Sequence, residues 1–213
     1  MIDTSNLGLF LAAAVLLTVT PGPAVLYIVT RSVSQGRAAG IVSCLGVASG
    51  GLVHVLAATL GLSALLASSA AAFNIVKYAG AAYLVWLGVR KLTQPSTLDP
   101  SVALPRRSLL RVYRDGAVVN ILNPKTALFF LAFLPQFVVT SRGAVGVQFA
   151  LFGLLFVAIA VCTDVMWALV ASSAGTWLRQ HPRFIASERY VAGTVYLGLG
   201  LASAMTSSRR SIS

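Results

Sequence analysis

Six stretches of this chain, residues 7–29, 41–66, 70–89, 116–139, 145–173 and 190–206, are apolar nearly throughout. Crossing about 30 Å of hydrocarbon takes ~20 residues of helix, and only the last stretch is short of that. Lipid offers no partner for a backbone N–H or C=O, so a spanning segment must be a helix or part of a closed barrel. The alternating pattern of barrel strands is absent, which leaves helices. Only 10% of the 213 residues are charged and 57% are hydrophobic, against roughly 25% charged in soluble domains. The expectation is an all-α integral membrane protein with six transmembrane helices. No Lys or Arg precedes the first run, which is also too long for a signal-peptide core, so it is expected to stay as the first helix.

Two of the six runs contain residues that helices reject. Thr20-Pro21-Gly22-Pro23 interrupts the first and Asn123-Pro124-Lys125 the fourth. A proline inside a helix costs ~3 kcal/mol, because it lacks an N–H and clashes with the preceding turn. Setting Pro21 over Pro124 aligns "LTVTPGPAVLYIV" with "NILNPKTALFFLA", pairing Thr20 with Asn123 and Tyr27 with Phe130. At 1.5 Å per residue, Pro21 lies about 21 Å from the outer end of its run and Pro124 about 12 Å from the inner end of its own. The two breaks are therefore expected at one level, slightly to the cytoplasmic side of the midplane.

The sixteen Lys and Arg residues make the chain strongly basic, with net charge +11. Their distribution excludes a nucleic-acid reading. Arg31, Arg37, Arg90, Lys91, Arg106, Arg107, Arg111, Arg114, Arg179, Arg183 and Arg189 all fall on one side, and Arg142, Arg209 and Arg210 on the other. The positive-inside rule makes the richer side cytoplasmic and both termini external. The proline-rich stretch 93–109 reads as a cytoplasmic linker between two halves, 1–92 and 110–213. Three helices per half, an odd number, make any internal repeat inverted, as in many secondary transporters.

Few residues inside the spans could carry chemistry. Lys125 either stretches to the cytoplasmic interface or faces the bundle interior, where it could hold a carboxylate. Asp164 is the only acidic residue in a span and is expected near the level of Lys125. It could be a structural ion-pair partner, a proton carrier, or both. His54, near mid-membrane, reads as a hydrogen-bonded packing residue, with proton relay as the minor alternative. Lys77 is expected to snorkel outward. Asn120 and Asn123 suit either a polar substrate or carbonyls freed by Pro124. Gly36, Gly40, Gly46 and Gly50 give the second helix small faces for close packing, which allow a dimer. Cys44 and Cys162 read as packing residues. No nucleotide loop, hydrolase triad or HExxH zinc motif is present, so neither an enzyme, a cofactor nor a metal site is expected.

Taken in order, "TPGP", "GRAAGIVSCLGVASGG", "KYAGAAYLVWLGVRKL" and "GAVVNILNPKTALFFLAFLPQF" resemble the signatures of the lysine-exporter / resistance-to-homoserine-threonine (LysE/RhtB) family, end to end. The resemblance implies a bacterial inner-membrane exporter of amino acids driven by the proton gradient. It places Thr20, Pro21, Gly22 and Pro23, with Asn120, Asn123, Pro124 and Lys125, at the substrate site. Asp164 would be the acidic residue of the fifth helix. A single carboxylate, partly neutralised by Lys125, gives a cationic side chain little to pair with. Neutral substrates such as threonine, homoserine or its lactone, or branched-chain residues fit better. A cation or metal exporter of related architecture is the alternative within transport, and an intramembrane enzyme the alternative outside it.

Overall fold

The computed structural model describes residues 7–93, 105–173 and 182–205, and among these every regular element is helical. The 93–109 linker expected between two halves lies largely outside the described residues. Helix α1 (Leu7–Val19) and α2 (Pro23–Gln35) form a pair bent by 47°. Gly36, at φ +87°, turns the chain directly into α3 (Arg37–Ala57). A π-helical turn, Ala58–Leu62, continues α3 into α4 (Ser63–Ser68). After α5 (Ala70–Thr93), α6 (Leu109–Ile121) meets α7 (Pro124–Leu128). The chain then runs through π and 3-10 turns to Phe137, and this second pair is bent by 43°. The long α8 (Val145–Ser173) and α9 (Pro182–Met205) complete the chain.

By length and apolarity α8 and the run Arg37–Leu65 can each cross a bilayer, and each bent pair can add one more span. The expected third and sixth spans are α5 and α9, each 24 residues long and packed against one another. The outer surface is apolar, with Leu9, Leu16, Leu56, Leu60, Leu154 and Leu201 half or more exposed. A water-soluble monomer rarely shows a continuous surface of that kind.

Inside, one core is aromatic. Phe10 of α1 meets Phe129, Phe137 and Phe152, and Phe129 stacks on Phe156 at 4.2 Å. A second, smaller core joins Ala24 and Ile28 of α2 to Cys44 and Val47 of α3 and Ala168 of α8. The first break lies where the chain passes from one core to the other.

Glycine brings α3 against α6. A Cβ on Gly46 would run into the Tyr113 carbonyl, and one on Gly50 would lie 2.6 Å from Ala117 O and 2.9 Å from Asn120 Cβ. The neighbours are mostly backbone, so neither can yield cheaply. The spacing that marks this face in the sequence is thus a packing face, except at Gly36, which serves a turn. Gly50→Val is expected to lower the melting temperature in detergent by roughly six to twelve degrees, from about 3 kcal/mol of overpacking. An unchanged melting curve would mean that the helices do not meet there.

Three further expectations are corrected. Arg31, assigned to a connection, lies within α2 and is buried, because α2 continues to Gln35. Lys77 does not reach outward but is 6% exposed, with its ammonium 5.5 Å from the Tyr78 ring centroid, within cation–π range. Of the cysteines, Cys44 packs in the core but Cys162 is exposed on α8.

Candidate functional site between two helix breaks

Each break restarts its helix on a proline. Pro23 opens α2 and Pro124 opens α7, the one helical position where a missing N–H costs nothing. The residues before them, Gly22 and Asn123, are the N-caps. Pro23 and Pro124 thus hold the same helical position, whereas Pro21, which the sequence alignment sets over Pro124, lies between the two helices of its break. The caps differ in chemistry. Asn123 Oδ1 accepts from the Lys125 N–H at 3.1 Å, whereas Gly22 gives α2 no side-chain cap. Helix α7 therefore satisfies part of its own first turn, while α2 leaves its first amides to other partners.

Each proline also orphans the carbonyl four residues before it. Pro21 frees Leu17 O, and Pro124 frees Asn120 O. In the structure the protein's own donors fill these carbonyls. Lys125 Nζ donates to Leu17 O at 3.0 Å and to Thr20 O at 2.7 Å. Asn120 O accepts from Asn123 N at 3.0 Å and from His54 Nε2 at 2.9 Å. The lysine of one break thus closes the other. That contact puts the two breaks side by side, as their depths in the sequence suggest. Thr20 adds its own hydroxyl to Leu16 O at 2.6 Å, ending α1.

Lys125 is 6% exposed, which excludes a side chain stretched to an interface. Gly22 makes room for it, since a Cβ there would lie 3.2 Å from Lys125 Cε and Nζ. Asn120 is the hub of the second break. Its Nδ2 donates to Val47 O across to α3 at 2.7 Å, and its Oδ1 accepts from Thr126 Oγ1 at 2.9 Å and Asn123 Nδ2 at 3.3 Å. Neither asparagine side chain bonds a carbonyl freed by Pro124; their amides bond Val47 O, Thr126, the Lys125 N–H and each other. His54 stacks on Phe130, with centroids 5.8 Å apart. Facing a carbonyl, its Nε2 must be the protonated nitrogen. These two contacts tie α3 to the second break.

Asp164 on α8 is 5% exposed and lies within electrostatic range of both Lys125 and Cys44. The prolines contribute backbone more than surface: Pro21 and Pro124 are half-buried, and Pro23 is exposed. Among the described residues no three His, Cys, Asp or Glu side chains come together as a metal site would require.

Sequence reasoning missed Thr126, next to Lys125, whose hydroxyl fixes the Asn120 amide. It also missed a polar stripe on α2. Tyr27 donates to Val112 O at 2.8 Å, Arg31 to Gln35 Oε1 at 2.9 Å, and Gln35 to Arg107 O at 2.9 Å. The i, i+4, i+8 spacing of Tyr27, Arg31 and Gln35 was the available signal, since it sets all three on one helix face. Together they bind the C-terminal half of α2 to the start of α6.

The comparisons with known proteins agree with a transport architecture. Over 197 residues the chain is 27% identical to a homoserine/homoserine lactone efflux protein of Salmonella typhimurium, covering 92% of this chain and 95% of that one. It is 26% identical to a leucine efflux protein of Klebsiella pneumoniae, covering 89% and 90%. To an uncharacterized membrane protein of Vibrio cholerae it is 28% identical, covering 90% and 93%. The relatives whose names state an activity here are transporters, not enzymes. No solved structure matches the chain. A family model for LysE type translocators matches residues 15–207, nearly the whole of the chain, and it belongs to that family.

Proposed function

We propose that the protein exports a small neutral amino acid or close derivative across the bacterial inner membrane, in exchange for inward protons. The observation that carries this reading is the Lys125 ammonium of one helix break seated on the carbonyls of the other. It gathers a buried cation, the two carbonyls that hold it and a helix start without a side-chain cap at one point, which is the equipment for holding a zwitterion. Irregular backbone inside a membrane protein is tolerated where it is buried in protein or lines a cavity.

In this reading the chain crosses six times, as two inverted halves, 1–92 and 110–213, joined by the linker 93–109. Both termini face the periplasm. The substrate carboxylate takes the uncapped start of α2, where the helix dipole favours an anion. Asn120 and His54 hold the second break rigid, and Asp164 carries the proton. The cargo named for the relatives, homoserine, its lactone and leucine, shares an ammonium and lacks a charged side chain. That suits a site whose one acidic side chain already faces Lys125.

Counterflow in proteoliposomes with labelled amino acids tests it. Leucine, threonine and homoserine are expected to exchange and lysine is not. If none of the neutral amino acids exchanges, or if lysine is preferred, the reading is wrong.

A further inference from the structure

A carbonyl stripped of its helical donor is an acceptor waiting for an N–H. At the first break the two acceptors already hold a primary ammonium: Lys125 Nζ lies 3.0 Å from Leu17 O and 2.7 Å from Thr20 O. The break itself is polarised. Helix α1 ends in carbonyls at Leu17 and Thr20, and α2 begins two residues later at an N-cap, Gly22, that has no side chain to offer its amides. Opposite partial charges thus face one another across Thr20-Pro21-Gly22, the carbonyl side filled by Lys125 and the amide side without a side-chain cap. Gly22 leaves the lysine a close fit, with its Cε and Nζ 3.2 Å from where a Cβ would stand. Behind the lysine, Asp164 of α8 is near enough to act on it, so a displaced ammonium has a buried carboxylate to turn toward.

We propose that Leu17 O and Thr20 O form the ammonium subsite of the carrier, that Lys125 occupies it as a tethered stand-in while the site is empty, and that a ligand's primary ammonium displaces it. The proposal deepens the exporter reading and rests on it for the cargo. The chemistry it assigns is narrower. The subsite takes an ammonium with at least two N–H groups, one for each carbonyl, and rejects a quaternary ammonium of equal charge. Substrate and Lys125 exclude one another at this point, so each entry of substrate moves a buried positive charge toward Asp164.

Titration calorimetry on detergent-purified protein tests this with isoamylamine, which has an ammonium but no carboxylate. Its trimethylammonium analogue is the control. Lys125→Met removes the stand-in and leaves two buried carbonyls unpaired. Isoamylamine is expected to bind this variant about tenfold or more tightly than wild type, the equivalent of one charge-assisted hydrogen bond. The trimethyl analogue should gain nothing. Lys125→Gln, whose shorter neutral amide cannot hold both carbonyls as the ammonium does, should shift isoamylamine affinity in the same direction by a smaller factor. It serves equally if Lys125→Met does not fold. Unchanged isoamylamine affinity in the variants, or an equal gain by the trimethyl analogue, overturns the proposal. Failure of the exporter reading is seen separately, as absent amino-acid counterflow by the wild-type protein, and does not alter the amine result.

Discussion

Vesicles carrying Asp164→Asn are expected to exchange labelled substrate at close to the wild-type rate, yet to build no concentration ratio when a proton gradient is imposed. An inward proton releases about 2.3 kcal/mol per 100 mV. That sustains roughly a fifty-fold ratio of a neutral zwitterion, and the variant should fall to about one. The argument rests on place and on chemistry. Asp164 is buried on α8 at 5% exposure and acts on Lys125, the residue that bridges the two breaks. Asparagine matches it in volume and can still accept a hydrogen bond, but it has no proton to carry. Asp115→Asn is the fitting control. Asp115, midway along α6, pairs with Arg107 just before that helix, both partly exposed, and such a surface pair contributes at most about 1 kcal/mol. Accumulation by Asp164→Asn at the wild-type ratio would remove the carrier role and leave Asp164 as a partner of Lys125.

Much of this arrangement is legible in the residues before any coordinates. The breaks are local chemistry: proline and glycine interrupt a helix wherever they stand, so Thr20–Pro23 and Asn123–Lys125 declare themselves. Which residues of the breaks correspond is harder, because "TPGP" offers two prolines. The capping rule does not choose between them, since Thr20-Pro21 fits an N-cap followed by proline as well as Gly22-Pro23 does. Only the fold shows that α2 starts at Pro23. The level of the breaks follows from helix rise alone, but what fills the freed carbonyls does not. Leu17 and Lys125 are 108 residues apart, and only tertiary packing brings a lysine onto that carbonyl instead of a substrate. The same holds for Lys77, whose stem folds over a neighbouring tyrosine rather than toward an interface. It holds again for Arg31, where the positive-inside count sees a charge and the fold makes a buried bridge to Gln35 and to Pro105 O.

Asn120 separates a residue that builds the site from one that binds in it. Its amide spends both ends within the protein, as a donor to Val47 O and an acceptor from Thr126 and Asn123. Asn120→Ala deletes three side-chain hydrogen bonds at a position 6% exposed and strands the Thr126 and Asn123 donors. At about 1 kcal/mol per bond, the expected loss is roughly 3 kcal/mol, seen as a large fall in melting temperature and in the yield of folded protein. Asn120→Asp, nearly isosteric, should be at least as damaging, because it turns an acceptor oxygen toward the Val47 carbonyl and buries a charge. Thr126→Val removes only the 2.9 Å bond and should cost about a third as much. The decisive comparison is affinity. Asn120 shapes the second break through its neighbours, so the folded fraction of Asn120→Ala is expected to bind substrate within about threefold of wild type, under 0.7 kcal/mol. A tenfold or greater loss of affinity in protein that still melts normally would move Asn120 from the frame of the site into the site itself.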